Sequence, residues 1–337
     1  MKKKIIVWGG NAKPLELKYL NSHASVNAYF LTKYLKNEFE VINITDIDKP
    51  EEILKYDNIH SVIATSQYGF TNRIIGKSKY ELFDKIRKHV KGKLCSIADD
   101  NNIRKYYEDI LFCVRKINSH NLIKSRKISF NKDLKVFRSG WCAEPSLFYP
   151  ENNNDEFNIF IDHAPYSLKS TNYIEKYYNA LLKLIKNNTD KKITVYHQND
   201  FGIVKWDFTN DLNLKTIYNR SIKVPYLSVA EVYRKIHIFC FTHKESAGLS
   251  GIEAAMCGAK LYIPTDILGR SFIKKDLLNK NINYKIFYPN NYILERQFQK
   301  DICLGINKNL NHEKLKFSSN TWKSASKIIS KAINGDD

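Results

Sequence analysis

Short runs of β-branched and aromatic residues alternate with longer stretches of helical period along most of the chain, and few folds accept that pattern. Ile5-Ile6-Val7-Trp8 is apolar at every position. A strand that is apolar on both faces needs cover on both, which helices crossing between parallel strands supply. Residues 25–36 follow, with Val26, Tyr29, Phe30, Lys33 and Tyr34 at helical spacing and Leu31 and Leu35 beside them. Further strands are predicted at 40–44, 61–65, 93–98 and 110–114. The alternation starts again with a strand at 158–162 and a helix at 170–186, where Tyr173, Tyr177, Leu181 and Leu184 share one side. Strands at 192–197, 236–242 and 260–264, helical segments at 230–234 and 250–257, and a helical C-terminal region complete it. Between the halves, the polar run 150–156 is the best linker. The expectation is an α/β protein of two doubly wound, Rossmann-like domains, 1–150 and 151–315, with 316–337 as a terminal helix.

Composition narrows the class further. A chain of 337 residues is long enough for two cores, and 43% hydrophobic with 26% charged residues excludes a disordered protein. No run approaches the ~20 apolar residues that cross a bilayer. Lys2, Lys3 and Lys4 before an apolar run imitate a signal peptide, but Gly9, Gly10, Asn11 and Lys13 end that run too early. The six cysteines (Cys95, Cys113, Cys142, Cys240, Cys257 and Cys303) show no metal-ligand spacing, so reduced structural thiols in a cytoplasmic protein are expected. The net charge of +19 admits two readings. One is a polyanionic partner such as DNA, an anionic membrane face or a phosphorylated substrate. The other is a composition merely rich in Lys, Asn and Ile. Arg115, Lys116, Lys124, Arg126, Lys127, Lys132, Lys135 and Arg138 form the densest basic cluster.

The stretch 229–264 carries the chemistry. Its strand ends in a polar loop, 243–248, and a helix then begins near Leu249 and Ser250 and stops at Gly258, a predicted left-handed C-cap. Open α/β sheets bind ligands outside the carboxyl ends of their strands. A glycine-bearing loop feeding a helix presents free amides and a positive dipole end to a phosphate. Gly248 and Gly251 are expected to permit close backbone approach, and Ser250 to cap the helix or donate a hydroxyl. Glu245 and Glu253 flank this turn with seven residues between them, a spacing that suits sugar hydroxyls at either end of a diphosphate.

These residues resemble the C-terminal domain of the large retaining GT-B glycosyltransferase family. There a short helix and a strand precede Glu-x-x-Gly-x-x-x-x-Glu-Ala-x-x-x-Gly, matched by Glu245, Gly248, Glu253, Ala254 and Gly258, with Leu249 and Met256 of the expected type. The resemblance implies a GT-B fold, two Rossmann-like domains facing each other across a cleft. It implies Glu245 against the transferred sugar, Glu253 against the ribose hydroxyls, and the amides of Gly248, Leu249 and Ser250 along the diphosphate. Gly9 and Gly10 resemble the family's first loop, whose backbone approaches the donor phosphate. Where the family carries Gly-Arg, this chain has Asp162 and His163, so Lys169 becomes the expected phosphate cation, with Lys244 or Arg270 as substitutes. Phe317, Ser318 and Trp322 introduce a helix that in this fold crosses back to the first domain. The implied donor is UDP- or GDP-linked, with no metal and no further cofactor.

On the acceptor side, His23, His60, Asp99 and Asp100 fall near predicted loops of the first half and are candidate bases, and Arg115, Lys116, Arg126 and Lys127 are candidate acceptor contacts. Three functions are compatible with these residues. The first is a glycosyltransferase acting on a glycan or lipid-linked acceptor, in the cytoplasm or at the inner membrane face. The second modifies hydroxylated bases in DNA, the basic cluster contacting phosphates and the base flipped out. The third is a non-catalytic sugar-nucleotide or nucleic-acid binding protein on the same scaffold.

Overall fold

The first strands are the apolar runs that the pattern marks: β1 (Lys4–Trp8), β2 (Glu40–Ile44), β3 (Ile59–Ala64), β4 (Leu94–Ala98) and β5 (Ile110–Cys113). A sixth, β6 (Lys135–Arg138), joins them at the edge, where its half-exposed Lys-Val-Phe-Arg needs no second apolar face. The computed structural model describes residues 2–10, 14–20, 22–65, 70, 77–98, 106–113, 119–129, 131–139, 142–151, 156–162, 168–186, 192–199, 213–219, 225–242, 249–265, 282–288, 290–316 and 321–336. Strand order is β2-β1-β3-β4-β5-β6, and every pairing is parallel. Helices α1 (His23–Leu35), α2 (Lys77–His89) and α3 (Ser119–Ile128) connect the strands. Ser22 and Ser25 close a reciprocal capping box at the start of α1. The core of this unit is aromatic: Trp8 meets Phe70 edge-on at 5.0 Å, and Phe70 meets Phe83 at 5.4 Å.

The second unit repeats the plan with β7 (Glu156–Ile161), β8 (Lys192–Asn199), β9 (Asn213–Asn219), β10 (Ile238–Cys240), β11 (Lys260–Pro264) and β12 (Tyr284–Phe287). Their order, β12-β11-β10-β7-β8-β9, is again wholly parallel. It reverses between β7 and β10, whose carboxyl ends therefore flank the crevice in which such sheets hold ligands. The helices are α4 (Leu168–Lys186), α5 (Tyr226–Lys235), α6 (Leu249–Met256), α7 (Asn291–Leu304) and α8 (Asn309–Lys316). Phe160 and Phe239 stack at 5.2 Å on neighbouring strands, and Tyr233 of α5 caps both rings. Lys260 and Tyr262 of β11 both donate to Asp301, which pins α7 to the sheet.

The final helix, α9 (Trp322–Asn334), belongs to the first unit, which comprises Met1–Trp141 and Trp322–Asp337, while the second is Cys142–Thr321. Trp322 stacks on Phe30 of α1 at 5.6 Å, and Lys3 donates to Asn334. The division falls before the polar run at 150–156, not within it, because 142–151 is bound to α5. Phe148 packs on Tyr226 and Tyr233, Arg234 pairs with Glu151 at 2.6 Å, and the Lys308 ammonium donates to the carbonyls of Glu151 and Arg234. Among the described residues no helix is long and apolar enough to cross a membrane.

Gly258 ends α6 with φ at +85°, and a Schellman pair closes the turn: Gly258 N–H donates to the Ala255 carbonyl and Ala259 N–H to that of Ala254. A Cβ at this position would overlap the Lys308 backbone. Gly258→Ala is therefore expected to lower unfolding free energy by roughly 3 kcal/mol, from left-handed strain and overpacking together. Urea unfolding followed by circular dichroism measures it.

Candidate functional site

The site is built where β10 runs out and α6 begins. Cys240 ends β10, and Phe241 and Thr242 continue the chain towards 243–248, which lies outside the described residues together with Lys244, Glu245 and Gly248. Three bonds fix this exit. Phe241 N–H donates to the Tyr262 carbonyl, the Tyr177 phenol of α4 donates to the Phe241 carbonyl at 3.0 Å, and the Thr242 hydroxyl donates to the Asp162 carbonyl. Asp162 is buried at the end of β7, and its N–H donates to the Cys240 carbonyl. The carboxyl ends of β7 and β10 are thus tied side by side at the strand-order reversal.

Leu249 and Ser250 open α6 as its first two residues, both half-buried. Ser250 is thus inside the helix, where it does not occupy the N-cap position expected of it. A Cβ at Gly251 would overlap Cζ of Phe241, so the glycine serves the contact between helix and sheet.

Glu253 stands one turn into α6 and is 4% exposed. The Tyr226 phenol, on the first residue of α5, donates to its Oε1 at 2.5 Å. Burial raises the Glu253 carboxyl to about pH 8 for half-titration, against an ordinary 4.5, while the phenol pulls the other way. Burial, with Glu253 as neighbour, holds the Tyr226 phenol protonated well above its usual range. In the bond between them Tyr226 donates and Glu253 Oε1 accepts.

With this geometry in hand, the fold can be compared with known structures. No protein-family model and no curated protein matches the sequence. Solved structures do match in shape. UDP-GlcNAc 2-epimerase from Neisseria meningitidis, bound to UDP-GlcNAc, superposes with a TM-score of 0.58 at 12% identity, over 99% of this chain and 100% of that one. The S. aureus MnaA–UDP structure gives 0.53 at 12%, over 100% and 97%. The glycotransferase of kitacinnamycin gives 0.52 at 8%, over 99% and 100%. The fold is GT-B.

In this GT-B chain the expected residues separate into three groups. Leu249, Ser250 and Glu253 lie together on α6, close to the joined ends of β7 and β10. Lys169 falls in the first turn of α4, the element that follows β7. Gly10, at φ +119°, lies two residues beyond the end of β1 in the first unit, where a Cβ would lie 3.1 Å from Ala28 of α1. That is also a strand-order reversal, between β1 and β3, and Asn27 of α1 braces it by donating to the Thr65 carbonyl at 3.0 Å. His23 is exposed as the first residue of α1.

His60 is not near a loop at the ligand side. It is the second residue of β3, at the amino end of the strand, remote from the carboxyl end that serves ligands. Asp99, Asp100, Arg115, Lys116, His163 and Arg270 lie outside the described residues. Within the basic cluster, Arg126 donates through Nε and Nη2 to the Leu134 carbonyl at 3.1 and 2.8 Å, holding the turn between α3 and β6. Lys127 is exposed, and its carbonyl accepts from Lys132. Part of the cluster is thus committed to the fold.

Tyr226, the hydrogen-bond partner of Glu253, is a residue that sequence reasoning passes over. Its distance along the chain from Glu253 follows no local period; only Pro225, which sets the start of α5, marks the spot.

The raised Glu253 value makes a stability prediction. Below about pH 4.5 both folded and unfolded chains hold the proton; above it the unfolded chain releases it while the folded chain keeps it until about pH 8. The stability contributed by this group is thus full at low pH and declines through that window. Glu253→Gln, which is neutral throughout, should gain stability relative to the wild type between pH 5 and 8, by on the order of a few kcal/mol. Chemical unfolding of both proteins across that range measures the difference.

Proposed function

We propose that this chain is a glycosyltransferase that moves a sugar from a UDP- or GDP-linked donor to an acceptor hydroxyl with retention of configuration, in the synthesis of a glycan or lipid-linked glycan. One observation carries the reading: Glu253, at the position of the second glutamate of the Glu-x7-Glu pattern, is a buried carboxyl on the helix that leaves the crevice of a GT-B C-terminal unit. A buried, hydrogen-bonded carboxyl beside a ligand crevice suits recognition of ribose hydroxyls.

In this proposal the diphosphate lies against the amides that open α6, where the helix dipole favours an anion. Glu245 contacts the transferred sugar, and Lys169 neutralises the leaving diphosphate. The acceptor oxygen bonds to the anomeric carbon on the face from which the sugar–phosphate bond breaks, and the hydroxyl proton passes to the departing phosphate oxygen. The protein contributes orientation and stabilisation of the leaving group. No further cofactor is invoked.

A second reading is epimerisation of a nucleotide-sugar, favoured by the end-to-end likeness to the N. meningitidis UDP-GlcNAc 2-epimerase. Donor alone in deuterated water separates the two: an epimerase yields a deuterium-bearing epimer without any acceptor, whereas the transferase needs an acceptor to release UDP or GDP.

A thermal-stabilisation panel of UDP- and GDP-sugars should raise the melting temperature with one donor class. With that donor, Glu253→Ala is expected to weaken binding ~10-fold, the scale of losing a hydrogen bond to a buried polar group. Glu245→Ala should mainly lower kcat. Unchanged kinetics in both variants would sink the assignment.

A further inference from the structure

A carboxylate that receives a ligand must have one oxygen free and held in place. Glu253 sits on a helix of eight residues, and its side chain has rotatable bonds that burial alone does not fix. Tyr226 supplies the missing constraint. It comes from a different element, α5, and its own ring is held edge-on by Phe148 at 5.4 Å. Arg234, at the other end of α5, pairs with Glu151 and donates to the Leu147 carbonyl, so the segment bearing Phe148 is anchored to the helix that bears Tyr226. The phenol is the hydrogen-bond partner of Glu253 among the described residues.

We propose that Tyr226 is a positioning residue for ligand recognition by Glu253, its phenol occupying Oε1 and reserving Oε2 for a hydroxyl of the bound nucleotide. The proposal rests on the donor-site reading above. It follows that any carboxyl proton of Glu253 resides on Oε2, because Oε1 already accepts. Oε2 then presents an O–H when protonated and a lone pair when ionised. A hydroxyl, which both donates and accepts, is the ligand group that fits either state. A donor-only amide or an acceptor-only carbonyl fits one state alone.

Nucleotide binding to the full chain, titrated by calorimetry with UDP and with GDP from pH 6 to 9, tests this. The ionisable groups that face the pair are Glu144 on the 142–151 segment, Tyr233 on α5, and Cys257 at the end of α6 with Lys308 beyond it. They are common to every variant and cancel in the comparison. In wild type the affinity should rise with pH as Glu253 ionises, and in Glu253→Gln it should be weaker and lack that rise. Tyr226→Phe should bind about tenfold less tightly. Its pH midpoint should move upward, since the phenol is what favours the ionised carboxyl. 3-Fluorotyrosine at position 226 keeps the ring and strengthens the donor, so its midpoint should move downward even if Tyr226→Phe fails to fold. A loss of affinity in Glu253→Gln with wild-type midpoints for both changes at 226 overturns the positioning role and leaves the donor site standing. A wild type that binds neither nucleotide removes the donor site, and the positioning role with it.

Discussion

Phe241 and Gly251 set how closely α6 lies on the sheet of the second unit. A Cβ at 251 would overlap Cζ of Phe241, so either the ring or the helix would have to shift. With glycine there, Glu253 is carried beneath the surface to the first turn of α5. There its carboxyl exchanges water for one phenol, and burial shifts its titration towards neutrality. At the end of β10 the Phe241 backbone is itself tied down, its carbonyl accepting from the Tyr177 phenol and its N–H donating to the Tyr262 carbonyl. The close glycine–phenylalanine contact and the buried acid thus sit on one short helix packed against the sheet.

What could be read beforehand follows a physical division. The core strands β1 and β11 are legible residue for residue, because a buried parallel strand is a continuous apolar run and carries its own signal; the edge strand β2 is legible from its three β-branched residues, Val41, Ile42 and Ile44. The end of α6 was legible for a similar reason: a left-handed Gly258 is a local requirement. The edge strands β6, β9 and β12 and the charged helices α2 and α3 were missed, since their apolar faces are narrow or interrupted by Lys and Asn. The division before Cys142 was hidden because a polar run marks where chain is exposed, not where packing changes hands. Tyr226 was invisible to any spacing rule, as its meaning arises only when α5 and α6 are brought together. The contact of Gly251 with the Phe241 ring is likewise set by tertiary packing and carries no signal in the sequence.

The strong positive charge looks different once its carriers are placed. Arg126 holds a carbonyl between α3 and β6, Arg87 pairs with Asp109, Arg234 with Glu151 and Lys260 with Asp301. Lys308 is buried, its ammonium shared by two carbonyls, and burial lowers its pKa to about 8. A formal net charge counts these cations as surface. Several are brackets between elements, a use that suits Arg in particular because its planar fork satisfies two acceptors at once.

The return of α9 to the first unit has a consequence for how the molecule is made. Phe30 waits for Trp322, and Glu38 for Ser330, across almost the whole chain. During synthesis the second unit emerges complete before the last helix of the first. The first unit therefore passes through a long interval with the α1 face that receives α9 uncovered, while its neighbour is already able to fold. The parallel bridge between Ala143 and Thr321 lies at the two ends of the second unit, so closing that unit gathers the points at which the chain leaves and rejoins the first. Completion of the second unit shortens the effective loop that α9 must close, and the order of assembly is written into the connectivity.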